Sequence, residues 1–298
     1  MKYVVLYNPL SGGGNGKVNA EKVRALVSDA ELTFTDVREV KDLASFFASL
    51  APEDAVVLTG GDGTLNHFVN DLGDLEVVNP LYLFAGGSGN DFRTDVAPGD
   101  EGLIPLNKYV KDLPIVKVNG MTRRFINGVG YGIDGYCCEE GDRLAKESSK
   151  PVNYASIAVK GLLFHYHTTH ATVTVDGETH EFDRVWLAPT MKGRYYGGGM
   201  MAAPAQDRFD PDGKLTTVVW YGSGKLKTLM AFSSIFQGKH VEHTDMVSVF
   251  TGNEITVRFD RPTALQIDGK TVSGVTEYQV SSGKAKKAGK KEAETAAV

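Results

Sequence analysis

The sequence predicts an α/β amino-terminal domain built on a parallel sheet, followed by an antiparallel two-layer β domain. Three observations predict it. Glycine-rich turns follow three apolar, strand-like runs before residue 92, and helix-compatible sequence follows each turn. Such alternation of strand and helix makes a parallel sheet with its ligand crevice at the carboxyl ends of the strands. Beyond about residue 113 the pattern shifts to alternating apolar and polar residues broken by turn dipeptides. Thr172-Val173-Thr174-Val175 before Asp176-Gly177 is an example.

The first expected strand, Tyr3-Val4-Val5-Leu6-Tyr7, ends in Asn8-Pro9-Leu10-Ser11-Gly12-Gly13-Gly14-Asn15-Gly16, with a helix expected over 17–28. The turn lacks the Gly-Lys-Ser/Thr ending of a Walker motif. A strand near 32–37 and a helix near 41–50 lead to the buried-looking run Ala55-Val56-Val57-Leu58-Thr59. Gly60-Gly61-Asp62-Gly63-Thr64 then opens a helix through residue 72. Glycines admit a phosphate close to the backbone, and the N–H groups of a first helical turn point at it. Asp62 alone would repel phosphate, so it points to a bridging Mg²⁺. The plainer alternative is a tight turn whose aspartate caps the helix. A strand over 81–84 ends in the third turn, Ala85-Gly86-Gly87-Ser88-Gly89-Asn90-Asp91-Phe92.

In the second half, strands are expected at 115–118, 123–126, 171–175, 184–188, 215–221, 246–251, 254–259, 264–267 and 277–280. The boundary falls near 113–125, giving domains 1–120 and 121–280 and a basic low-complexity tail, 281–298. Helical stretches at 153–167 and 225–237 are expected to pack on the sheet. A sharper alternative makes one edge of the first an entrance for acyl chains. His165, His167 and His170 lack metal-ligand spacing and mark a helix end. The tail, with Lys284, Lys286, Lys287, Lys290 and Lys291, reads as solvated and disordered, or as attracted to anionic lipid.

A net charge of −5 argues against a general nucleic-acid binder. Cys137 and Cys138 are adjacent and cannot form an ordinary structural bridge, so a reducing cytoplasm is the expected setting. The amino terminus is strand-like, without a signal-peptide pattern, and no apolar run is long enough to span a bilayer. Membrane contact is therefore expected to be peripheral, at the inner membrane face.

The three turns in this order resemble the diacylglycerol kinase catalytic family, which includes bacterial lipid kinases and sphingosine and ceramide kinases. Asn8-Pro9-Leu10-Ser11-Gly12, Gly60-Gly61-Asp62-Gly63-Thr64 and Gly87-Ser88-Gly89-Asn90-Asp91-Phe92 carry the likeness, which extends to about residue 280. It implies an ATP- and Mg²⁺-dependent kinase that moves the γ-phosphate to a lipid hydroxyl such as that of diacylglycerol. It further implies nucleotide contacts from Asn8, Pro9, Ser11, Gly12, Gly60, Gly61, Asp62, Gly63, Thr64, Asn66, Ser88, Asn90 and Asp91. Asp62 and Asp91 would organise the metal ion and its waters. Asn127-Gly128-Val129-Gly130-Tyr131-Gly132-Ile133-Asp134 and Tyr195-Tyr196-Gly197-Gly198-Gly199-Met200 are also family-like in form.

Asp210-Pro211-Asp212-Gly213-Lys214 reads by itself as a β-turn. The resemblance implies a structural Mg²⁺ there, on the Asp212 carboxylate and the Phe209 and Lys214 carbonyls. At Gln266-Ile267-Asp268-Gly269-Lys270 the chain departs from the family's Asp-Gly-Glu. Asp268 is the remaining candidate base, because an ammonium at Lys270 cannot accept a proton at neutral pH. Pro114 stands where an aspartate is expected, with Asp112 a candidate to compensate. Two rival readings accompany the kinase. One is an NAD- or sugar-phosphate kinase, which carries a related glycine–aspartate turn. The other is a catalytically impaired nucleotide- or lipid-binding module, which Lys270 favours.

Overall fold

The computed structural model describes residues 2–28, 30–87, 89–147 and 152–283. Ser88 and, of the basic tail, residues 284–298 lie outside the described residues. The chain divides into two compact units, the first spanning Met1–Lys111 and the second beginning at Asp112.

In the first unit, β1 (Lys2–Tyr7), β2 (Glu31–Asp36), β3 (Ala55–Gly60) and β4 (Leu81–Ala85) run parallel in the order β2-β1-β3-β4. The short β5 (Ile104–Pro105) adds antiparallel to β4 at the edge, where a proline's missing N–H costs no ladder bond. Every residue of β3 is buried, which is why it reads as an unbroken apolar run rather than an alternation. Val5 and Val57 pack with Ala20 and Val23 in one core cluster. The glycine turn after β1 holds a short helical segment, α1 (Ser11–Gly14), in which Gly12 and Gly13 take φ of +58° and +67°. That left-handed backbone is why glycines stand there. The helix expected over 17–28 is shorter, α2 (Gly16–Glu21) running into a 3-10 turn, Lys22–Ala25. The unit also holds α3 (Leu43–Ala48), α4 (Asp62–Leu72) and α5 (Asp91–Val96).

In the second unit the strands are β6 (Ile115–Val118), β7 (Met121–Arg124), β8 (Gly128–Tyr131), β9 (Thr169–Val175) and β10 (Glu178–Val185). They continue with β11 (Thr190–Met191), β12 (Leu215–Trp220), β13 (Val247–Gly252), β14 (Glu254–Ile267) and β15 (Lys270–Ser281). The stretches expected as two strands, 254–259 and 264–267, are one strand with bulges between Arg258 and Leu265. β14 pairs with β15 on one side. On the other it pairs first with β9, through Ile255–Phe259, and then with β8, through Leu265–Ile267. One bent strand thus serves two ladders, since a bulge re-aims a strand without ending it. Val173, Val257, Tyr131 and Tyr278 are among the residues of the main core.

A helix absent from the sequence reading, α6 (Ile133–Glu147), follows the glycine-dense β8. A Cβ on Gly135 would lie 2.0 Å from the Ala264 carbonyl oxygen, so only glycine lets this helix begin against β14. The stretch 153–167 forms α7 (Tyr154–Lys160) and a π turn, Gly161–His165. The stretch 225–237 forms α8 (Lys225–Phe232) and a 3-10 turn, Ser233–Gln237. Leu162 joins Trp186 and Trp220 in a second core, with Leu163 and Leu229 packed against it. Among the described residues no helix is long and apolar enough to cross a membrane.

Candidate nucleotide and acceptor sites

The three glycine turns stand at the carboxyl ends of β1, β3 and β4, and hydrogen bonds tie them together. The Asn8 side chain accepts from Leu10 N–H at 3.0 Å, and the Ser11 hydroxyl donates to the Asn8 carbonyl at 2.8 Å. These bonds shape the first turn. Asn19, on α2, donates to the Gly86 carbonyl at 2.9 Å and so joins the first turn's helix to the third turn. The second and third turns meet backbone to backbone, with Asp62 N–H donating to Gly89 O at 2.9 Å. A Cβ on Gly61 would sit 2.4 Å from Gly89 O, and one on Gly87 would sit 2.4 Å from the Gly61 nitrogen. Glycine is required at both positions by this close approach.

Asp62 is placed differently from a simple cap on its own helix. Its carboxylate accepts Asp91 N–H at 2.8 Å and Phe92 N–H at 2.9 Å, so it caps the neighbouring α5. Helix α5 offers a partly positive end, which favours the acidic charge there. The Asn90 amide donates to Gly87 O at 2.8 Å. Its buried Oδ1 has no hydrogen-bond partner among the described residues. Asp91 and Asn66 are also buried, while Gly63 is exposed at the start of α4.

In the second unit, Asp268 is almost wholly buried and accepts three backbone N–H groups. Ile126 donates to Oδ2 at 2.7 Å, and Asn127 and Gly128 donate to Oδ1 at 2.9 and 3.0 Å. The same segment is gripped from elsewhere. Arg208 donates to the Ile126 carbonyl at 2.5 Å and to Asn127 Oδ1 at 2.7 Å, while Lys192 and Gly193 N–H groups reach the Asn127 carbonyl at 2.8 and 2.9 Å. Asp268 and Gly269, with φ of +46° and +86°, form the two-residue turn between β14 and β15. Lys270 is exposed at the start of β15, so it and Asp268 differ sharply in their surroundings.

The turn at 210–214 is organised by Asp210, whose Oδ1 accepts the N–H groups of Asp212 and Lys214 at 3.0 and 2.9 Å. Asp212 is exposed, with the Lys214 ammonium 3.6 Å away. The Lys214 carbonyl accepts from the Gln206 amide at 3.1 Å. Among the described residues no group of three or more His, Cys, Asp or Glu side chains is arranged to hold a metal ion.

Comparisons with known proteins bear on this architecture. A profile described as "Diacylglycerol kinase catalytic domain" matches residues 2–113. A second, "YegS C-terminal NAD kinase beta sandwich-like domain", matches residues 127–281, more than half of the chain. The chain belongs to the diacylglycerol kinase catalytic family. A diacylglycerol kinase of Mycobacterium tuberculosis (strain CDC 1551 / Oshkosh) is 26% identical over 256 residues, covering 81% of this chain and 80% of that protein. The crystal structure of a diacylglycerol kinase from Bacillus anthracis str. Sterne superposes with a TM-score of 0.57 at 22% identity, over 94% of this chain and 93% of that one. That structural likeness speaks for the fold.

Within this lipid kinase the sequence-selected residues fall into two groups. Asn8, Pro9, Ser11, Gly12, Gly60, Gly61, Asp62, Gly63, Thr64, Asn66, Asn90 and Asp91 are placed by the three turns and helix starts of the first unit. Asp268, Asp212, Phe209 and Lys214 belong to the second. The sequence reading gave no role to two residues of this kinase. Arg208 completes the grip on 126–128, and its only sequence signal is a cation just ahead of the Asp210 turn. Asp134 lies in the first turn of α6, buried beside the Tyr196 hydroxyl, and burial pushes its carboxyl up to about 6. A Cβ on Gly130 would meet its Oδ2 at 1.9 Å, so the glycine makes room for that acid.

Proposed function

We propose that this kinase transfers the γ-phosphate of ATP, with Mg²⁺, to the hydroxyl of a lipid such as diacylglycerol. The observation that carries the reading is the mutual bracing of three glycine turns at the ends of β1, β3 and β4, with Asp62 anchored on α5. Phosphoryl transfer needs positioning and charge stabilisation more than covalent chemistry, and braced backbone N–H groups supply the first. Gly61, Gly63, Thr64 and the first turn of α4 would take the phosphates. Ser11, Gly12 and Asn8 would border the nucleotide, and Ser88 is proposed with them from the sequence motif.

The oxygen donors near the third turn suit a hard cation. Asn90 Oδ1, buried and without a hydrogen-bond partner among the described residues, precedes Asp91, and the Asp62 carboxylate is held on the N–H groups of Asp91 and Phe92. Asp62 and Asp91 would hold Mg²⁺, which when bound neutralises phosphate charge. The Asp212 carboxylate with the Phe209 and Lys214 carbonyls is proposed as a separate structural site for the ion. The Lys214 oxygen retains a second lone pair besides its bond from Gln206.

Asp268 is proposed as the carboxylate that receives the acceptor hydroxyl. The Ile126, Asn127 and Gly128 N–H groups fix the carboxylate in place. It would accept the hydroxyl's hydrogen bond and orient it. The test is incubation with radiolabelled ATP and a panel of dispersed lipids, with Asp62→Ala alongside. Wild type should label a lipid, while Asp62→Ala should not and should melt earlier, having lost a cap worth about 1 kcal/mol. Wild-type turnover by Asp62→Ala would refute the site.

A further inference from the structure

The outward faces of two neighbouring helical segments in the second unit are unusual for a water-facing surface. On α7 and its π turn, Tyr154, Val159 and Phe164 are exposed, Phe164 at 68%. On α8 and its 3-10 turn, Leu226 at 68%, Met230 at 76% and Phe236 at 49% are exposed. These are not core residues left uncovered for want of partners. Ile157, Leu162, Thr228 and Ile235 already supply the buried positions of the same segments. A surface helix normally turns polar residues outward, so a second apolar face marks an interaction surface. The two segments adjoin, because the Lys225 ammonium donates to the Leu163 carbonyl at 2.8 Å and Leu163 and Leu229 pack on one core.

Charge identifies the occupant. The chain carries −5 overall, yet residues 152–175 and 213–241 contain no Asp or Glu. They carry Lys160, Lys214, Lys225, Lys227 and Lys239. The acids of adjacent α6 are engaged elsewhere, Asp142 with Thr271 and Glu139 with Ser273 on β15, and Glu140 with Arg143. Lys227 pairs with Asp245 and Lys214 stands beside Asp212, which leaves Lys160 and Lys239 as the cations flanking the apolar side chains. An apolar face flanked by cations, on segments that themselves carry no acid, matches a bilayer surface bearing anionic headgroups.

We infer that the α7–α8 face docks this kinase on anionic membranes, with Phe164, Leu226 and Met230 entering the headgroup region and Lys160 and Lys239 meeting lipid phosphates. This deepens the lipid-acceptor reading, yet docking can be measured without phosphate transfer. The experiment is sedimentation of the full chain with phosphatidylcholine vesicles, with and without phosphatidylglycerol. Wild type should bind the anionic vesicles and release them in high salt. The double variant Phe164→Glu/Met230→Glu should bind roughly tenfold more weakly or worse. It should still phosphorylate a water-dispersed short-chain diacylglycerol at the wild-type rate. Phe164→Ser/Met230→Ser, with a wild-type melting temperature, guards against misfolding and should also bind more weakly. Unchanged vesicle binding by both variants would overturn the proposal and leave the tail as the anchor. So would a wild-type dimer that the variants convert to monomer while vesicle binding persists, since a second copy would then be the occupant. Absence of transfer by every protein would sink the kinase reading alone, and the vesicle comparison would still decide this one.

Discussion

Asp134 shows what one buried charge does to the protein. Its carboxyl is raised from 3.8 to about 6, first by burial. Between those values the folded chain holds a proton that the unfolded chain has released. Stability therefore falls as pH rises through that window, and the loss persists above it. Removing the charge should reverse it. Asp134→Asn is expected to raise the melting temperature near neutral pH and to leave it unchanged below pH 4. A shift of about two pKa units sets an upper bound near 3 kcal/mol on the gain. Calorimetry across pH checks this, and an equal effect at every pH would rule out the charge as cause. The Asp62 carboxylate, by contrast, accepts two N–H groups of α5. Neither environment could be read from the motifs. Gly60-Gly61-Asp62-Gly63-Thr64 reveals a turn, but the partners of Asp62, Asp91 and Phe92, lie 29 and 30 residues further on, in the third turn motif.

The β14–β15 hairpin carries the clearest conflict between motif and structure. Asp268 braces Ile126, Asn127 and Gly128, across some 140 residues of sequence, with |i−j| of 142, 141 and 140. No local pattern announces such a contact. Asp268→Ala should leave three buried N–H groups unmet and cost roughly 1–3 kcal/mol for each unsatisfied donor, beyond any loss of transfer. Asp268→Asn keeps one acceptor oxygen and should melt between Ala and wild type. Lys270→Glu stands apart, since Lys270 is exposed while Asp268 is buried. It should leave the melting temperature nearly unchanged. A rise in lipid phosphorylation would show that a second acid was wanting. Helix α6 was likewise illegible, because the glycine-dense run of β8 and the adjacent cysteines mask its start. Strands with strict alternation, such as β9, and the wholly buried β3 were read correctly, because burial on one face or two leaves its own period.

For the whole molecule, ion binding should appear as heat stability. If Asp212, Phe209 and Lys214 hold a divalent ion, added Mg²⁺ should raise the melting temperature of wild type more than that of Asp212→Ala. Chelation should erase the difference. Identical melting with and without Mg²⁺ in both proteins would remove the structural-ion proposal. The general plan of parallel and antiparallel halves was legible from glycine placement and periodicity, whereas the joining of two ladders on one strand was not. That joining has a kinetic consequence. β14 follows β8 and β9 in the chain, so both must wait with an open edge until it is made. Pairings so distant in sequence form slowly, and open edges recruit other chains. The second unit should consequently be the slow step of refolding, and its vulnerable interval should close only when the β14–β15 hairpin arrives to seal both edges at once.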